Sequence, residues 1–252
     1  MTPADGGLRD VGALVTGATS GLGRAVAVRL AQAGAHVALV GRSDEDLVQT
    51  AAEVESHGVR AVRLRVDLAE TGSLNDVVET AASALGGVGV LVNAAATDAP
   101  GAAEALALED WERVMAVNLT APFALAKAAM PHMRAAGGGL IVNISSVAGR
   151  RGWAGASAYC STKFALTGLT QALAAEGRAD GIRVCVLYPG AMATSWGTFD
   201  PAKRVPSTGG RDEKESLDPG VVADLIAWMA TSPGGPVLNE VTITPLLEGG
   251  WP

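Results

Sequence analysis

The sequence predicts a single α/β domain in which one parallel sheet carries helices on both faces. Short apolar runs alternate with stretches of helical periodicity along the chain. A glycine-rich turn, Thr16-Gly17-Ala18-Thr19-Ser20-Gly21-Leu22-Gly23, follows the first of those runs. The 252 residues contain no evident linker, internal repeat or second core, and one large α/β domain accommodates that length. The apolar runs read as strands buried on both faces, as a parallel sheet covered by crossover helices requires.

Gly12 to Val15 is the first predicted strand. The glycine turn then leads into an amphipathic helix, Arg24 to Ala33, and a second strand, Gly34 to Val40. Strand, glycine turn and helix open a dinucleotide-binding unit. The glycines let backbone approach a pyrophosphate, and the helix N-terminus favours the anion. The spacing is T-G-x-x-x-G-x-G rather than G-x-G-x-x-G, and a glycine turn alone can be a mere tight connection. The second strand ends in Gly41-Arg42-Ser43. NAD-binding units carry a carboxylate near this point for the ribose 2′-hydroxyl. Arg42 stands here instead, and a guanidinium fork matches the oxygens of a 2′-phosphate. The alternative is a solvated loop arginine. Asp44 and Glu45 read as the acidic first turn of the next helix, Asp44 to Ser56.

A strand follows from Arg60 to Val66, ending at Asp67-Leu68, then a helix from Ser73 to Leu85 and a strand from Val88 to Val92 closed by Asn93-Ala94-Ala95-Ala96. A long helical stretch from Leu108 to Ala135 has Asn118 near its middle. Pro131 inside it is expected to kink or end it. The strand Gly139–Ser145, the helix Ser157–Glu176 and the strand Ile182–Leu187 continue the alternation. Tyr188-Pro189-Gly190 then opens a segment, about 191–216, rich in Pro, Gly, Ser and charge and long enough to serve as a lid or substrate loop. Leu217 to Thr231 reads as a helix with Asp218 as its candidate cap, and Val237 to Thr244 as a last strand.

A net charge of −7 without a basic stripe argues against a nucleic-acid partner, so a dinucleotide would need local positive charge. The two cysteines, Cys160 and Cys185, fall in predicted core elements and read as reduced thiols. The three histidines are isolated, with no metal-ligand spacing. No apolar run approaches the roughly 18 residues of a membrane span. The first residues lack a basic stretch followed by an apolar one, so neither a membrane nor a secretory signal is expected, and the expected location is cytoplasmic.

The chemistry is concentrated between Ser146 and Lys163. Tyr159 and Lys163 are one helical turn apart and share a face. Ser146 lies where a strand opens into a loop. A phenol has a reference pKa of about 10, and bringing it to about 7 takes roughly 4 kcal/mol. An ammonium about 4 Å away supplies about that much at an effective dielectric near 20. The pair is therefore energetically sufficient for a proton donor at neutral pH, and a serine hydroxyl beside it can hold a carbonyl oxygen. Alone, Tyr-x-x-x-Lys is an ordinary surface pairing, and the rest of the chain gives it weight.

Thr16-Gly17-x-x-x-Gly21-x-Gly23, Asp67, Asn93, Asn118, the run ending at Ser146, Tyr159-x-x-x-Lys163 and Pro189-Gly190-x-x-x-Thr194 occur in one order. Together they resemble the short-chain dehydrogenase/reductase family, in its single-domain branch, over nearly the whole chain. The resemblance implies a Rossmann fold with a seven-stranded parallel sheet ordered 3-2-1-4-5-6-7. It implies an NADP(H)-dependent carbonyl reductase or alcohol dehydrogenase, similar to 3-oxoacyl carrier-protein reductases. In it, Tyr159 is the acid/base and Ser146 polarises the carbonyl. Lys163 lowers the tyrosine pKa and bonds the nicotinamide ribose, and Asn118 positions a water that links the lysine to solvent. Ser145 is adjacent, but Ser146 has the family's spacing to Tyr159.

By the same resemblance the cofactor lies along the glycine turn, at Thr16, Gly17, Ser20, Gly21, Leu22 and Gly23. It continues past Arg42, past Asp67 and Leu68 at the adenine, and past Asn93, Ala94 and Ala95. It ends beside Tyr159, Lys163, Pro189, Gly190, Met192 and Thr194, the last bonding the carboxamide. NADP(H) is expected over NAD(H), on Arg42 and the missing acid. The sequence departs from the family in two places. Ala96 replaces the glycine of N-N-A-G, so the backbone there must avoid φ > 0 or accept strain. Ser20 stands where many NADP-preferring members carry a basic residue. The resemblance further implies a homo-oligomer, tetramer or dimer, built through the Ser157–Glu176 helix and the last strand.

In this family the substrate pocket is built by the loops after strands four, five and six, here Thr97–Ala102, Val147–Ala156 and Ala191–Ser216. They contain Trp153, Met192, Trp196 and Phe199 in a chain that is only 4% aromatic. Ser146, Trp153, Tyr159 and Trp196 are expected to touch a hydrophobic or ring-bearing ketone, although packing within the lid would explain the same aromatics. Arg150 and Arg151 read as a solvated loop pair, or as the receptor for an anionic group in a 3-oxoacyl thioester reductase. A nucleotide sensor or scaffold that lost turnover would keep the same fold, but the intact tetrad argues against it. An epimerase or dehydratase would have little room for a substrate domain after the sixth strand. The ending Pro245–Pro252 is expected to dock on a neighbour or to fray.

Overall fold

The computed structural model describes residues 7–194, 215–232 and 237–248. The strands are β1 (Gly12–Thr16), β2 (His36–Gly41), β3 (Ala61–Arg65), β4 (Val90–Asn93), β5 (Gly139–Ile144), β6 (Ile182–Pro189) and β7 (Glu240–Ile243). They form one sheet in the order β3-β2-β1-β4-β5-β6-β7, parallel throughout. The expected seven-stranded order is therefore the observed one.

Helices α1 (Gly21–Gln32), α2 (Asp44–Glu55) and α7 (Pro219–Thr231) cover one face. α3 (Leu74–Leu85), α4 (Leu108–Met115), α5 (Ala121–Ala135) and α6 (Ser157–Gly177) follow the intervening crossovers, with α3, α5 and α6 contributing to the core on the other face. β1 and β2 are almost wholly buried, which their unbroken Val/Leu/Ala content allows. Ser43 caps α2 by accepting from the Asp46 amide, and Asp218 caps α7 by accepting from Gly220. Asp44 and Glu45 do occupy the first turn of α2.

The chain reverses its winding direction between β1 and β4. Thr16 and Asn93, the last residues of these strands, lie opposite each other in register. Ligands of open parallel sheets bind at such a switch point, beyond the carboxyl ends of the strands.

The expectation for Pro131 is corrected. α5 runs through it to Ala135, and the irregularity lies instead in a π turn, Ala116–Thr120. Pro131 and Lys127 are both on the exposed face, so the carbonyl that loses its donor, that of Lys127, can be hydrated. By length and composition alone the stretch Leu108–Ala135 could cross a membrane, a test that a buried core helix also passes. Its most apolar window is 56% buried within this domain.

A polar ladder crosses the buried sheet. Asn93 Nδ2 donates to Asn143 Oδ1 at 2.8 Å, and Asn143 Nδ2 donates to Thr170 Oγ1 at 2.9 Å. Asn143 is fully buried, so Asn143→Leu leaves the buried Asn93 amide unpaired, whereas Thr170 keeps its bond to the Leu166 carbonyl. The expected loss is about 1–3 kcal/mol, read as a lower urea midpoint at unchanged slope.

Candidate active site

α6 begins at Ser157 and brings Tyr159 and Lys163 onto the face that meets the end of β5. Lys163 Nζ donates to the carbonyl of Ile144 at 2.7 Å and lies 5.4 Å from the centroid of the Tyr159 ring. Both residues are buried, Tyr159 at 8% and Lys163 at 2% exposure.

The two serines that follow β5 divide their work. Ser145 donates to the carbonyl of Lys163 at 3.0 Å and ties the strand end to α6. Ser146 accepts from the amide of Ala148 at 3.1 Å and is hydrogen-bonded to the Tyr159 hydroxyl. The serine next to the phenol is thus Ser146.

The expectation that Lys163 brings the Tyr159 pKa down is not met. Burial dominates and pushes the phenol above its ordinary value. The Ser146 hydrogen bond offsets part of that shift, and the negative charge of Asp98 adds to it. Burial also pushes Lys163 down to about 7. The Coulomb argument counted attraction between the two groups and left out the desolvation of each. At neutral pH the phenol therefore keeps its proton.

Asn118 sits in the π turn, buried. Its Oδ1 accepts from the Thr97 amide at 2.8 Å. Its Nδ2 donates to the Thr97 carbonyl at 2.8 Å and to Thr162 Oγ1 at 3.2 Å. Both amide protons are committed to protein atoms, so the side chain clamps the segment after β4 onto α6. A regular α-helical turn would present residue 118 differently, and π turns recur at functional sites for this reason.

The glycine turn and the start of α1 fit a dinucleotide. Gly17 has φ +68°, and a Cβ there would lie 2.9 Å from Ala95 Cα. A Cβ on Gly23 would meet the Gly17 carbonyl oxygen. Thr16 Oγ1 accepts from the amides of Ala94 and Ala95, at 3.1 Å each, which fastens the strand ends around the turn. The first turn of α1 contains no acidic residue, and Ser20 makes no side-chain cap, so the N-terminal amides remain available to an anion. Leu22 packs into the core beneath this turn. The alanine that replaces the family glycine brings no strain. Among the described residues the only non-glycine with positive φ is Asp10, far from Ala96 in sequence. Asn93 Oδ1 is buried without a partner.

At the other end of the sheet edge, Pro189 closes β6, and Met192 forms an isolated bridge with Leu217. The Thr194 side chain lies 3.3 Å from the position a Cβ on Gly21 would take, so this segment folds over the glycine turn. Glu248 holds it there: its carboxylate accepts from the Ala191 amide at 2.8 Å and abuts Gly190. No sequence signal marked Glu248, because the ending was expected to dock or fray.

Arg42 is exposed beyond β2 and lines an open groove of about 700 Å³ with Arg63, Arg65 and Asp67. Arg42 and Arg65 have no ion-pair partner among the described residues, whereas Arg63 lies 3.8 Å from Asp44. Arg63 and Arg65 were missed, although their alternation on an edge strand was legible. Asp67 accepts from Arg113 at 2.8 Å and from the Ala69 amide at 3.0 Å, so part of its acceptor capacity is structural. Leu68 is buried in the core beside it.

On the substrate side, Trp153 is 48% exposed in the loop before α6. Trp196, Phe199 and most of the expected lid lie outside the described residues. Arg150 is unavailable to a substrate. Its guanidinium lies 4.0 Å over the buried Tyr188 ring and is ion-paired with Glu240, which in turn accepts from Gln171 at 2.8 Å. Arg150 is nevertheless exposed, as a loop arginine was expected to be, and it is the anion-receptor reading that this pairing weighs against. Asp98, the charge that acts on Tyr159, lies in a loop named as a pocket wall but was not singled out.

Comparison with known proteins agrees with this geometry. Residues 12–203 match the family model described as short chain dehydrogenase. A 2,5-dichloro-2,5-cyclohexadiene-1,4-diol dehydrogenase of Sphingobium indicum is 39% identical over 182 residues, 72% of this chain and 73% of that protein. A 2-(R)-hydroxypropyl-CoM dehydrogenase of Xanthobacter autotrophicus is 34% identical over 225 residues, 86% of this chain and 90% of that protein. Among solved structures, a metagenomic short-chain oxidoreductase in complex with NADP superposes with TM-score 0.82 at 31% identity, covering 96% of this chain and 100% of that one.

The burial of Lys163 makes a prediction about stability. The folded state releases its proton near pH 7, whereas the ordinary value for lysine is 10.5. Between those values the unfolded chain binds more protons, so stability rises with pH there. Lys163→Met removes the dependence. Urea unfolding at pH 6 and pH 10 should show wild type gaining on the variant at the higher pH, and an unchanged gap would show that the buried lysine stays charged.

Proposed function

The chain belongs to the short-chain dehydrogenase family, and from that premise we propose an NADP(H)-dependent reductase of ketones, reversible as a secondary-alcohol dehydrogenase. The observation that carries this reading is the Ser146–Tyr159 hydrogen bond, set over a buried lysine at the sheet's switch point. Bound nicotinamide supplies or receives the hydride. Tyr159 gives its proton to the carbonyl oxygen during reduction, and its buried, protonated phenol suits that direction. Ser146 holds the same oxygen. Lys163 anchors α6 and stands ready for the ribose hydroxyls, while Asn118 holds the wall after β4 in place.

Arg42, with Arg65 beside it, supports a 2′-phosphate and hence NADP(H) over NAD(H). The turn residues Thr16, Gly17, Gly21 and Gly23 would take the pyrophosphate, and Pro189, Gly190 and Thr194 the nicotinamide end. The commitment of Arg150 to Glu240 weighs against a 3-oxoacyl thioester as the substrate. Both cysteines are buried and unbridged, which suits a reducing compartment such as the cytoplasm. We further propose a homo-oligomer, dimer or tetramer. Phe123 on α5 and Phe164 on α6 support it, exposed at 48% and 47%.

Titration with NADPH and NADH should show tighter NADPH binding, with Arg42→Ala weakening NADPH roughly ten-fold or more and leaving NADH unchanged. Equal affinities would sink the 2′-phosphate assignment. Tyr159→Phe should cut turnover by about 10²–10⁴-fold while nucleotide binding persists. Light scattering on Phe164→Glu should give a smaller mass than wild type. A monomeric wild type would end the oligomer proposal.

A further inference from the structure

We propose that Asp98 is a specificity residue that selects substrates with a hydroxyl group on the carbon beside the reacting carbonyl, α-hydroxy ketones in one direction and vicinal diols in the other. This deepens the reductase reading above and rests on it.

The segment from Thr97 to Gly101 is laced to α6 at both ends. Thr97 is held through Asn118 to Thr162. Gly101 donates to the carbonyl of Gly155 at 2.9 Å and forms a parallel bridge with Ala156. Tyr159 lies midway between Ala156 and Thr162, so Asp98 is held against the turn that carries the phenol. Its negative charge is near enough to help push the Tyr159 phenol upward, behind the larger effect of burial. One carboxylate oxygen accepts from the Ala99 amide at 2.7 Å. No cation among the described residues pairs with the other, and burial raises the group's pKa, as expected for a carboxylate that lacks a counter-ion.

A half-buried carboxylate with spare acceptor capacity, next to the proton donor, asks for a hydrogen-bond donor on the substrate. An anionic substituent would be repelled by Asp98 itself. A cationic one would be repelled by Lys163, whose Nζ lies 5.4 Å from the same tyrosine ring, wherever that lysine holds its proton, below about pH 7. A neutral hydroxyl satisfies both conditions. Simple ketones leave the carboxylate without that bond, and a site built for a hydroxyl discriminates against the analogue lacking it.

The test compares reduction of 2-hydroxycyclohexanone and 2-methylcyclohexanone, which differ by a hydroxyl against a methyl of similar size. The ratio of kcat/KM values is measured for wild type, Asp98→Asn and Asp98→Leu. Intrinsic reactivity cancels when the wild-type ratio is divided by a variant's. In Asp98→Leu the preference for the hydroxy ketone should fall roughly ten- to hundred-fold. Asp98→Asn, which keeps an acceptor, should retain part of it. If both ketones change equally in both variants, Asp98 acts only through the charge it places on Tyr159, and the proposal fails while the reductase reading stands. If wild type turns over neither ketone with either nucleotide, nor the corresponding alcohols, the reductase reading fails and takes the proposal with it.

Discussion

The hydrogen bond from Lys163 to the carbonyl of Ile144 sets the height of α6 over the sheet, and the site is assembled around it. An ammonium is costly to bury, so its position tolerates little slack. The contact joins the last residue of β5 to the second turn of α6. Ser145 adds a bond between the same two elements in the opposite sense, from strand end to helix carbonyl. Ser146, one residue beyond Ser145, and Tyr159, one helical turn before Lys163, are then brought together by geometry that other residues supply. The helix needs no side-chain cap at its start, because the serines fasten it from the strand side.

The buried amides extend the same logic across the sheet. Asn93, Asn143 and Thr170 link β4, β5 and α6 through side chains that apolar residues could have replaced. A paired buried network specifies one arrangement, and in this one Asn93 Oδ1 alone is left without a partner among the described residues. Asn118 performs the corresponding task at the edge of the site, where the π turn aims it at Thr97 and Thr162. The wall that carries Asp98 is therefore as firmly placed as the strands, although it has no regular structure.

Charge is divided between structure and ligand. Arg113 holds Asp67, Arg150 holds Glu240 over the Tyr188 ring, and Arg24 holds Glu53. Arg42 and Arg65 are spared such partners among the described residues and face one groove. A chain with net charge −7 thus keeps two guanidinium groups, unpaired among the described residues, at the ends of β2 and β3, in a groove that Asp67, Glu70 and Asp76 also line.

The sequence by itself determined the alternation of strands and helices, the glycine turn, and the pairing of Tyr159 with Lys163. These depend on short-range periodicity and on φ values open to glycine, which a few neighbouring residues decide. Its ordered motifs, read against the family they resemble, also carried the strand order. Only the tertiary structure decided the rest. Pro131 is tolerated because the Lys127 carbonyl it orphans lies on the exposed face, and Asn118 becomes a clamp because the helix widens into a π turn where it meets Thr97 and Thr162. Tyr159 retains its proton, Arg150 is consumed by Glu240, and Glu248 secures the turn after β6. Each outcome depends on which groups share a low-dielectric space or a hydrogen bond with residues tens of positions away. Desolvation and partner choice are properties of the folded neighbourhood, and no window of sequence contains that neighbourhood.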